Sequence, residues 1–295
     1  MFDYPLKKRE LFIFLGNKTD LYVFDNALNE LMAESAIFKI GNFYSLFNNH
    51  TLAERRNTGN EKAIVMLKKA EKAAAIISAF PFVQGVAVSG SLSKKFAGED
   101  ADIDFFIITS ANRLWIARTF LHVFKKTTFI FNLQDLFCMN YFIDEAEPGI
   151  LEKNIYTATE VATLLPLRGN RVFEKFYIAN SWTRNYLPNH YLHVSAAKEP
   201  KGIWISRIAE KIFDNRLGNL IDTFLMKLTA RSWNSKTRKK KKNSKGILLG
   251  MHTGKHFSKP NPEHFQKKLL LRYEKSLSEV FDQYELSLLT RDRSL

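Results

Sequence analysis

Two aspartates separated by one residue are the side chains in this sequence best suited to metal chemistry. Asp102 and Asp104 flank Ile103. Side chains alternate across a β-strand, so both carboxylates of an extended segment project to the same side. Mg²⁺ takes oxygen ligands and is commonly held by one or two carboxylates together with substrate phosphates. The pair therefore predicts a magnesium site, and two ions held close together could assist a phosphoryl displacement.

A glycine-serine pair lies upstream of the aspartates. Gly90 and Ser91 follow Val86-Ala87-Val88, an alternation typical of a β-strand. Glycine lets the backbone approach a ligand closely, so we interpret this turn as phosphate-binding. Either motif alone occurs by chance. Together, with an apolar strand at Phe105 to Ile108, they favour a site over the alternative of a solvated loop.

Two cations are candidates to contact phosphate beside this turn. Lys94 follows it closely, and Arg118 falls within a helix predicted from Asn112 to Lys126. Arginine offers forked donors to phosphate. For Lys94 the alternative is a solvated loop, and for Arg118 it is surface solvation or a structural ion pair.

The elements that must position these residues alternate between helix and strand, which predicts an α/β (α+β) fold with a short mixed sheet. Apolar residues at helical spacing predict a helix from Glu61 to Phe80, ended by Pro81. Thr157 and Glu160 are spaced as a helix capping box. Further helical patterns follow: Phe173 to Tyr186, Trp204 to Leu228, and a segment from Asn261-Pro262-Glu263 to Tyr284.

Three regions follow from this pattern. Residues 1–58 form an N-terminal module with a β-prone stretch at Leu21 to Phe24 and an extended pair from Phe38 to Leu52. A winged-helix-like module and an extension packed on the core are equally open interpretations. Residues 59–150 form the core, and residues 151–295 form a helical C-terminal region with a basic loop at 236–245.

Composition limits the compartment and the partners. The 295-residue chain is 45% hydrophobic, has no long uninterrupted apolar span, and contains one cysteine, Cys138. We therefore expect a cytoplasmic protein with no membrane partner. The formal net charge is +14, and residues 236–245 contribute seven basic side chains and no acidic one. Such a run predicts a solvated loop, with nucleic-acid contact as the alternative.

At Gly90, Ser91, Asp102 and Asp104 the sequence resembles the nucleotidyltransferase superfamily, which includes DNA polymerase beta, poly(A) polymerases and aminoglycoside nucleotidyltransferases. From about Thr51 to Asn189 it looks more closely similar to a group of poorly characterised bacterial nucleotidyltransferase-domain proteins. The segments that support this closer resemblance are Arg113-Leu-Trp-Ile-Ala-Arg118, Cys138-Met-Asn-Tyr-Phe142, Thr157-Ala-Thr-Glu160 and Leu187-Pro-Asn189.

The resemblance implies a catalytic role for Asp102 and Asp104 and a third carboxylate from a later strand. That strand is predicted at Phe137 to Ile143, where Asn140 stands in the acid's place and shares a predicted face with Cys138 and Phe142. Asparagine offers an oxygen but no charge. Asn140 is therefore a possible third site position that orients water or ribose, or a structural residue at the strand edge. Asp135, Asp144 and Glu145 lie nearby and could supply the third acid instead.

The expected activity is Mg²⁺-dependent transfer of a nucleoside monophosphate from a nucleoside triphosphate such as ATP to an acceptor hydroxyl, releasing pyrophosphate. The acceptor is a small molecule, RNA or protein. The alternative is a nucleotidyltransferase-like protein with weakened catalysis that binds nucleotide or nucleic acid. A toxin or antitoxin transferase is a third hypothesis, for which the sequence offers no specific feature.

Overall fold

The computed structural model describes residues 4–99, 101–128, 130, 136–191, 197–242, 250–260 and 265–292. Helices and strands are interleaved along this part of the chain. The helices are α1 (Lys8–Ile13), α2 (Leu21–Ala33), α3 (His50–Ile77), α4 (Gly90–Ser93), α5 (Leu114–Thr128), α6 (Ile155–Ala162), α7 (Asn170–Ala179), α8 (Trp204–Phe213), α9 (Arg216–Arg238) and α10 (Phe265–Asp292), with a 3₁₀ helix at Ser181–Asn185. The strands are β1 (Phe38–Ile40), β2 (Phe43–Ser45), β3 (Val83–Val88), β4 (Asp104–Thr109), β5 (Cys138–Asp144), β6 (Leu165–Arg168), β7 (Met251–Thr253) and β8 (Phe257–Pro260).

The chain forms two compact units. The first consists of Met1–Thr58, Asn185–His190 and His264–Leu295, and the second of Gly59–Arg184 and Tyr191–Glu263. Helix α3 begins at His50 rather than at the predicted Glu61. The Asn49 side chain accepts a hydrogen bond from the Thr51 backbone N–H at 3.0 Å, which gives the helix its earlier start.

The first unit contains a two-stranded antiparallel sheet, β1 with β2, which confirms the predicted extended pair up to Ser45, whereas His50 to Leu52 belong to α3. The prediction of a β-prone stretch at Leu21 to Phe24 is wrong. These residues form the first turn of α2, because the Asp20 side chain caps it by accepting from the Val23 N–H at 2.9 Å. Arg56 is buried and donates to Glu10 at 2.7 Å and to the Pro5 carbonyl at 2.8 Å.

The second unit is built on a mixed sheet of strand order β6-β3-β4-β5-β8-β7. Strands β4 and β5 are parallel, and the other neighbouring pairs are antiparallel. The predicted mixed α/β fold is thus confirmed. One face of the sheet buries Phe105 and Ile107 in a cluster with residues of α3 and α5. The other face buries Phe106 and Ile108 against aromatic residues of α7.

The C-terminal region is not wholly helical, contrary to the prediction for residues 151–295. Strand β6 pairs with β3, and β8 pairs with β5. These strands have four residues each, too few to show an alternation, and their partners are distant in sequence. The predicted cap Asn261-Pro262-Glu263 lies outside the described residues.

The pattern from Trp204 to Leu228 contains two helices rather than one. Helix α8 ends at Phe213, and Asn215 caps α9 by accepting from the Gly218 N–H at 3.0 Å. Helix α9 continues to Arg238, so the first residues of the predicted basic loop at 236–245 are helical. Lys239 to Lys242 follow the helix, and the end of the predicted loop, 243–245, lies outside the described residues.

Candidate functional site

The Gly90 turn and Asp104 lie against each other where β3 ends and β4 begins. Gly90 has a φ of +67°, and a Cβ added there would lie 3.0 Å from Asp104 Oδ2. The Ser89 N–H donates to the Asp104 carbonyl at 2.9 Å. A side chain at position 90 would therefore be strained and would crowd the carboxylate. Ser91 follows and is exposed in α4.

The two aspartates flank the start of β4. Asp104 is its first residue, whereas Asp102 lies just before it, so only one of the two carboxylates expected in an extended segment belongs to the strand. Ile103 is only 1% exposed and packs in the core, while both aspartates are half-buried. The alternation of polar and apolar side chains that the sequence predicted therefore extends beyond the strand.

Asp104 experiences an excess of negative charge. Burial raises its pKa to about 6; a hydrogen bond from Cys138 and the charge of Lys125 oppose this rise, whereas the charges of Asp102 and Glu160 add to it. Cys138 is the β5 residue paired with Asp104. Burial and the Asp104 charge raise the pKa of this thiol to about 11, so it stays protonated and can donate at neutral pH. A cation at the carboxylates would relieve the excess charge.

Glu160 is a third carboxylate near Asp104 that the sequence interpretation assigned to a helix cap. The cap of α6 is instead Asn154, which accepts from the Thr157 N–H at 3.0 Å. Lys94 Nζ contacts Glu160 Oε1 at 2.8 Å and donates to the Gly90 carbonyl at 3.0 Å. Lys94 thus connects the glycine turn to Glu160.

Glu160 and Lys125 were missed as site residues because their motifs are not local. Lys125 lies in the last turn of α5, and Glu160 lies on α6, far along the sequence from the Gly90 turn. Both influence Asp104 only because the fold brings the two helices to the start of β4. Cys138 had a signal, since it falls in the strand predicted to complete the site.

The structure does not bring Arg118 to the aspartates. Its guanidinium is buried on α5, 5.5 Å from the ring centroid of Trp115 and 5.9 Å from that of Phe142, and it lies 3.6 Å from the Met251 sulfur. Burial lowers its pKa to about 10. These ring and sulfur contacts of a buried guanidinium differ from phosphate binding and also from the surface solvation or ion pair that was the alternative for this residue.

Asn140 lies at an irregularity in β5. Met139 pairs with Phe105 and Tyr141 with Phe106, so Asn140 is skipped in the pairing with β4. Met139 and Phe142 consequently pack in the same hydrophobic cluster, although they are three residues apart. The predicted common face of Cys138, Asn140 and Phe142 is wrong, because the extra residue interrupts the alternation.

The two carboxylates of Asp102 and Asp104 are oxygen ligands of the kind that Mg²⁺ prefers. Within the described ranges, no group of three or more His, Cys, Asp or Glu side chains is arranged to hold a metal ion. Mg²⁺ usually keeps several waters and is bound through one or two carboxylates plus substrate phosphates, so a pair is sufficient. Asp102 and Asp104 are the residues that would hold it.

Comparisons with protein-family models, with curated proteins and with solved structures find no match to this chain. None of these comparisons therefore tests the resemblance to nucleotidyltransferases that the sequence suggested. Among the described residues, none of the helices is both long enough and apolar enough to cross a membrane.

Proposed function

We propose that this protein is a Mg²⁺-dependent nucleotidyltransferase acting at the turn between β3 and β4. The observation that supports this most is the contact geometry at Gly90. A glycine with positive φ leaves room beside a half-buried carboxylate whose pKa is raised by burial and by neighbouring acids. Nucleotide transfer requires a backbone that can approach a phosphate closely, and it requires two carboxylates that can hold a metal ion.

Each residue has a role in this proposal. Asp102 and Asp104 hold the metal, and the turn at Gly90 and Ser91 contacts the triphosphate. Bound Mg²⁺ supplies neutralisation of phosphate charge. Lys94 contacts both Glu160 and the Gly90 carbonyl, and its position beside the turn would let the ammonium group contact a phosphate.

The proposed reaction is a nucleotidyl transfer. The acceptor hydroxyl oxygen forms a bond to the α-phosphorus of the nucleoside triphosphate, the bond from that phosphorus to the bridging oxygen breaks, and pyrophosphate leaves. The hydroxyl proton passes to water. ATP is one candidate donor, and the acceptor is a small molecule, an RNA or a protein.

The test is incubation with each of the four labelled nucleoside triphosphates, Mg²⁺ and a cell extract, followed by a search for transferred label. Label should be transferred by the wild type and by Asp282→Asn, an exposed control with the same chemical change. Transfer should be lost with Asp102→Asn and Asp104→Asn. Equal transfer by all four proteins would place the chemistry outside this site.

A second candidate is a nucleotidyltransferase-like binding protein. It is favoured by Asn140, which supplies no charge at the predicted third position, and by the basic residues Lys239 to Lys242 after α9. Replacing these four lysines by serine should weaken nucleic-acid binding and reduce its salt slope by about one for each lost phosphate contact. If the variant bound RNA and DNA with the same salt dependence as the wild type, Lys239 to Lys242 would not contact the nucleic acid.

A further inference from the structure

Helices α8 and α9 expose an apolar surface that their own unit does not cover. Eight large side chains point outward, with exposed fractions from 49% for Ile208 to 70% for Trp204. The α8–α9 apolar face, as we name this surface, consists of Trp204, Ile205, Ile208, Ile212, Leu217, Leu220, Phe224 and Leu228.

The spacing of these residues gives one continuous apolar stripe on α8 and another on α9. Trp204, Ile208 and Ile212 repeat every four residues, and the four α9 members follow intervals of three and four. Such positions lie on one side of a helix. Scattered exposed apolar residues need no explanation, but a continuous stripe along each of two consecutive helices marks an interaction surface.

The opposite side of each helix makes polar contacts with the rest of the second unit. The apolar face is therefore the side that points away from that unit. Ser206 of α8 donates to the Ala79 carbonyl, and Glu210 accepts from the Phe82 N–H at 2.9 Å. Asp222 of α9 accepts from the backbone N–H groups of Trp115 and Ile116 at 2.8 and 2.9 Å.

The charges beside the apolar face are almost all positive. Glu210 and Asp222 are the acids of the two helices and face inward, and exposed Asp214, which follows α8, lies 3.4 Å from Arg113. At 100° per residue the exposed cations border the apolar stripes. They are Arg207, Lys211, Arg216 and Lys227, and exposed Arg231 lies about one turn beyond Leu228 on the α9 stripe itself.

We propose that the α8–α9 apolar face docks on the surface of an anionic lipid bilayer. An apolar stripe with tryptophan, bordered by lysine and arginine, is the pattern of helices that lie in the membrane interface. Anionic headgroups attract the flanking cations, while the apolar side chains enter the boundary with the acyl chains. This mode does not require a spanning helix, and it departs from the expectation of no membrane partner.

A second copy of the chain fits this face less well. A two-fold contact places the same patch of both copies together, so their bordering cations would lie close to one another. Like charges without intervening acids oppose such a contact. An anionic lipid bilayer accommodates both the apolar side chains and the cations beside them.

The proposal can be tested by co-sedimentation of the full chain with vesicles of phosphatidylcholine alone or mixed with phosphatidylglycerol. The wild type should bind the anionic vesicles, and less so at high salt. The double variant Leu220→Ser, Phe224→Ser should bind about tenfold more weakly or worse, since two apolar side chains no longer enter the bilayer. Lys227→Gln with Arg231→Gln should also lose about tenfold on anionic vesicles.

The matched control is Ile64→Ser with Val65→Ser, an exposed apolar pair on α3 that should leave vesicle binding unchanged. Wild-type protein that stays in the supernatant with both vesicles would overturn the proposal. Anionic binding undiminished in the Leu220, Phe224 variant would also overturn it, as would a wild-type dimer that this variant converts to a monomer. The proposal is independent of nucleotidyl transfer.

Discussion

Two aspartates on neighbouring strands of the same sheet have very different surroundings. Asp144, the last residue of β5, is fully buried and accepts backbone N–H bonds from Asn112 at 3.0 Å, Ala146 at 3.0 Å and Glu147 at 3.3 Å. His256 Nδ1 lies 2.8 Å from its Oδ2. Asp104, the first residue of β4, accepts from the Cys138 thiol, and no backbone N–H of the described residues donates to its side chain.

The contrast distinguishes a structural acid from a candidate functional one. At Asp144 the fold supplies donors for the carboxylate, so the charge stabilises the loop after β5. At Asp104 the fold supplies a weak thiol donor and two neighbouring acids, and the pKa rises. A site that is incomplete without a cation has these properties, whereas a purely structural acid does not require them.

The largest effect on stability is expected for Asp144→Ala. The substitution leaves three backbone donors and His256 without their acceptor inside the protein, which should reduce the free energy of unfolding by about 3–5 kcal/mol. Urea denaturation would measure it, with exposed Asp282→Ala as the control. If the free energy of unfolding fell no more than in the control, water would be replacing the Asp144 carboxylate. The contrast between Asp144 and Asp104 would then not hold.

Asp104→Asn is expected to act on function instead. Turnover should fall by about a hundredfold or more, because a metal site contributes several kcal/mol of charge stabilisation. The free energy of unfolding should stay constant or rise slightly, since a buried, repelled charge is removed. The measurement pairs label transfer with the melting shift produced by Mg²⁺ and nucleoside triphosphate.

Two results would contradict this prediction for Asp104→Asn. A melting shift equal to that of the wild type would mean that the metal binds elsewhere. A loss of stability comparable to that of Asp144→Ala would mean that Asp104 is structural.

Gly90→Ala should produce an intermediate effect. The residue has a φ of +67°, which costs an L-residue about 1–2 kcal/mol, and its new Cβ would lie 3.0 Å from Asp104 Oδ2. Thermal unfolding should show this loss, together with a weaker triphosphate shift. Gly98→Ala is the matched control, because a Cβ there has nothing within 4 Å. Equal behaviour of the two variants would remove Gly90 from the site.

Local sequence patterns were sufficient for most elements around the candidate site. The alternation around Ile103 and the glycine before a polar turn are properties of a few adjacent residues, and the structure places Gly90 against Asp104. The helix at Arg118 was also predicted, but the residues that it packs against could not be. Its contacts with Phe142 and Met251 come from two distant strands.

Sequence patterns failed where tertiary pairing decides the structure. Strands β6 and β8 are too short to show a period, and the skipped residue at Asn140 depends on the pairing of β5 with β4. The outward direction of the α8–α9 apolar face was equally hidden. A hydrophobic stripe has the same spacing whether it faces a core or solvent.

The smallest effect concerns another aspartate, the buried Asp222, which accepts hydrogen bonds from the backbone and nevertheless has a raised pKa. Its Oδ1 accepts from the N–H groups of Trp115 and Ile116, yet burial raises its pKa to about 6 because desolvation exceeds the effect of these bonds. An acid with a folded pKa above its unfolded value binds more protons when folded, so its contribution to stability decreases as pH rises through that interval.

We therefore expect ionisation of Asp222 to lower the free energy of unfolding by about 1 kcal/mol as the pH rises from 5 to 6.5. Asp222→Asn keeps the Oδ1 acceptor but does not ionise, so it should remove this component from the pH profile and leave the contributions of other groups unchanged. Urea denaturation of both proteins across this range measures the difference between the two profiles. Parallel profiles would show that the two backbone bonds fully compensate burial, and Asp222 would then resemble Asp144 rather than Asp104.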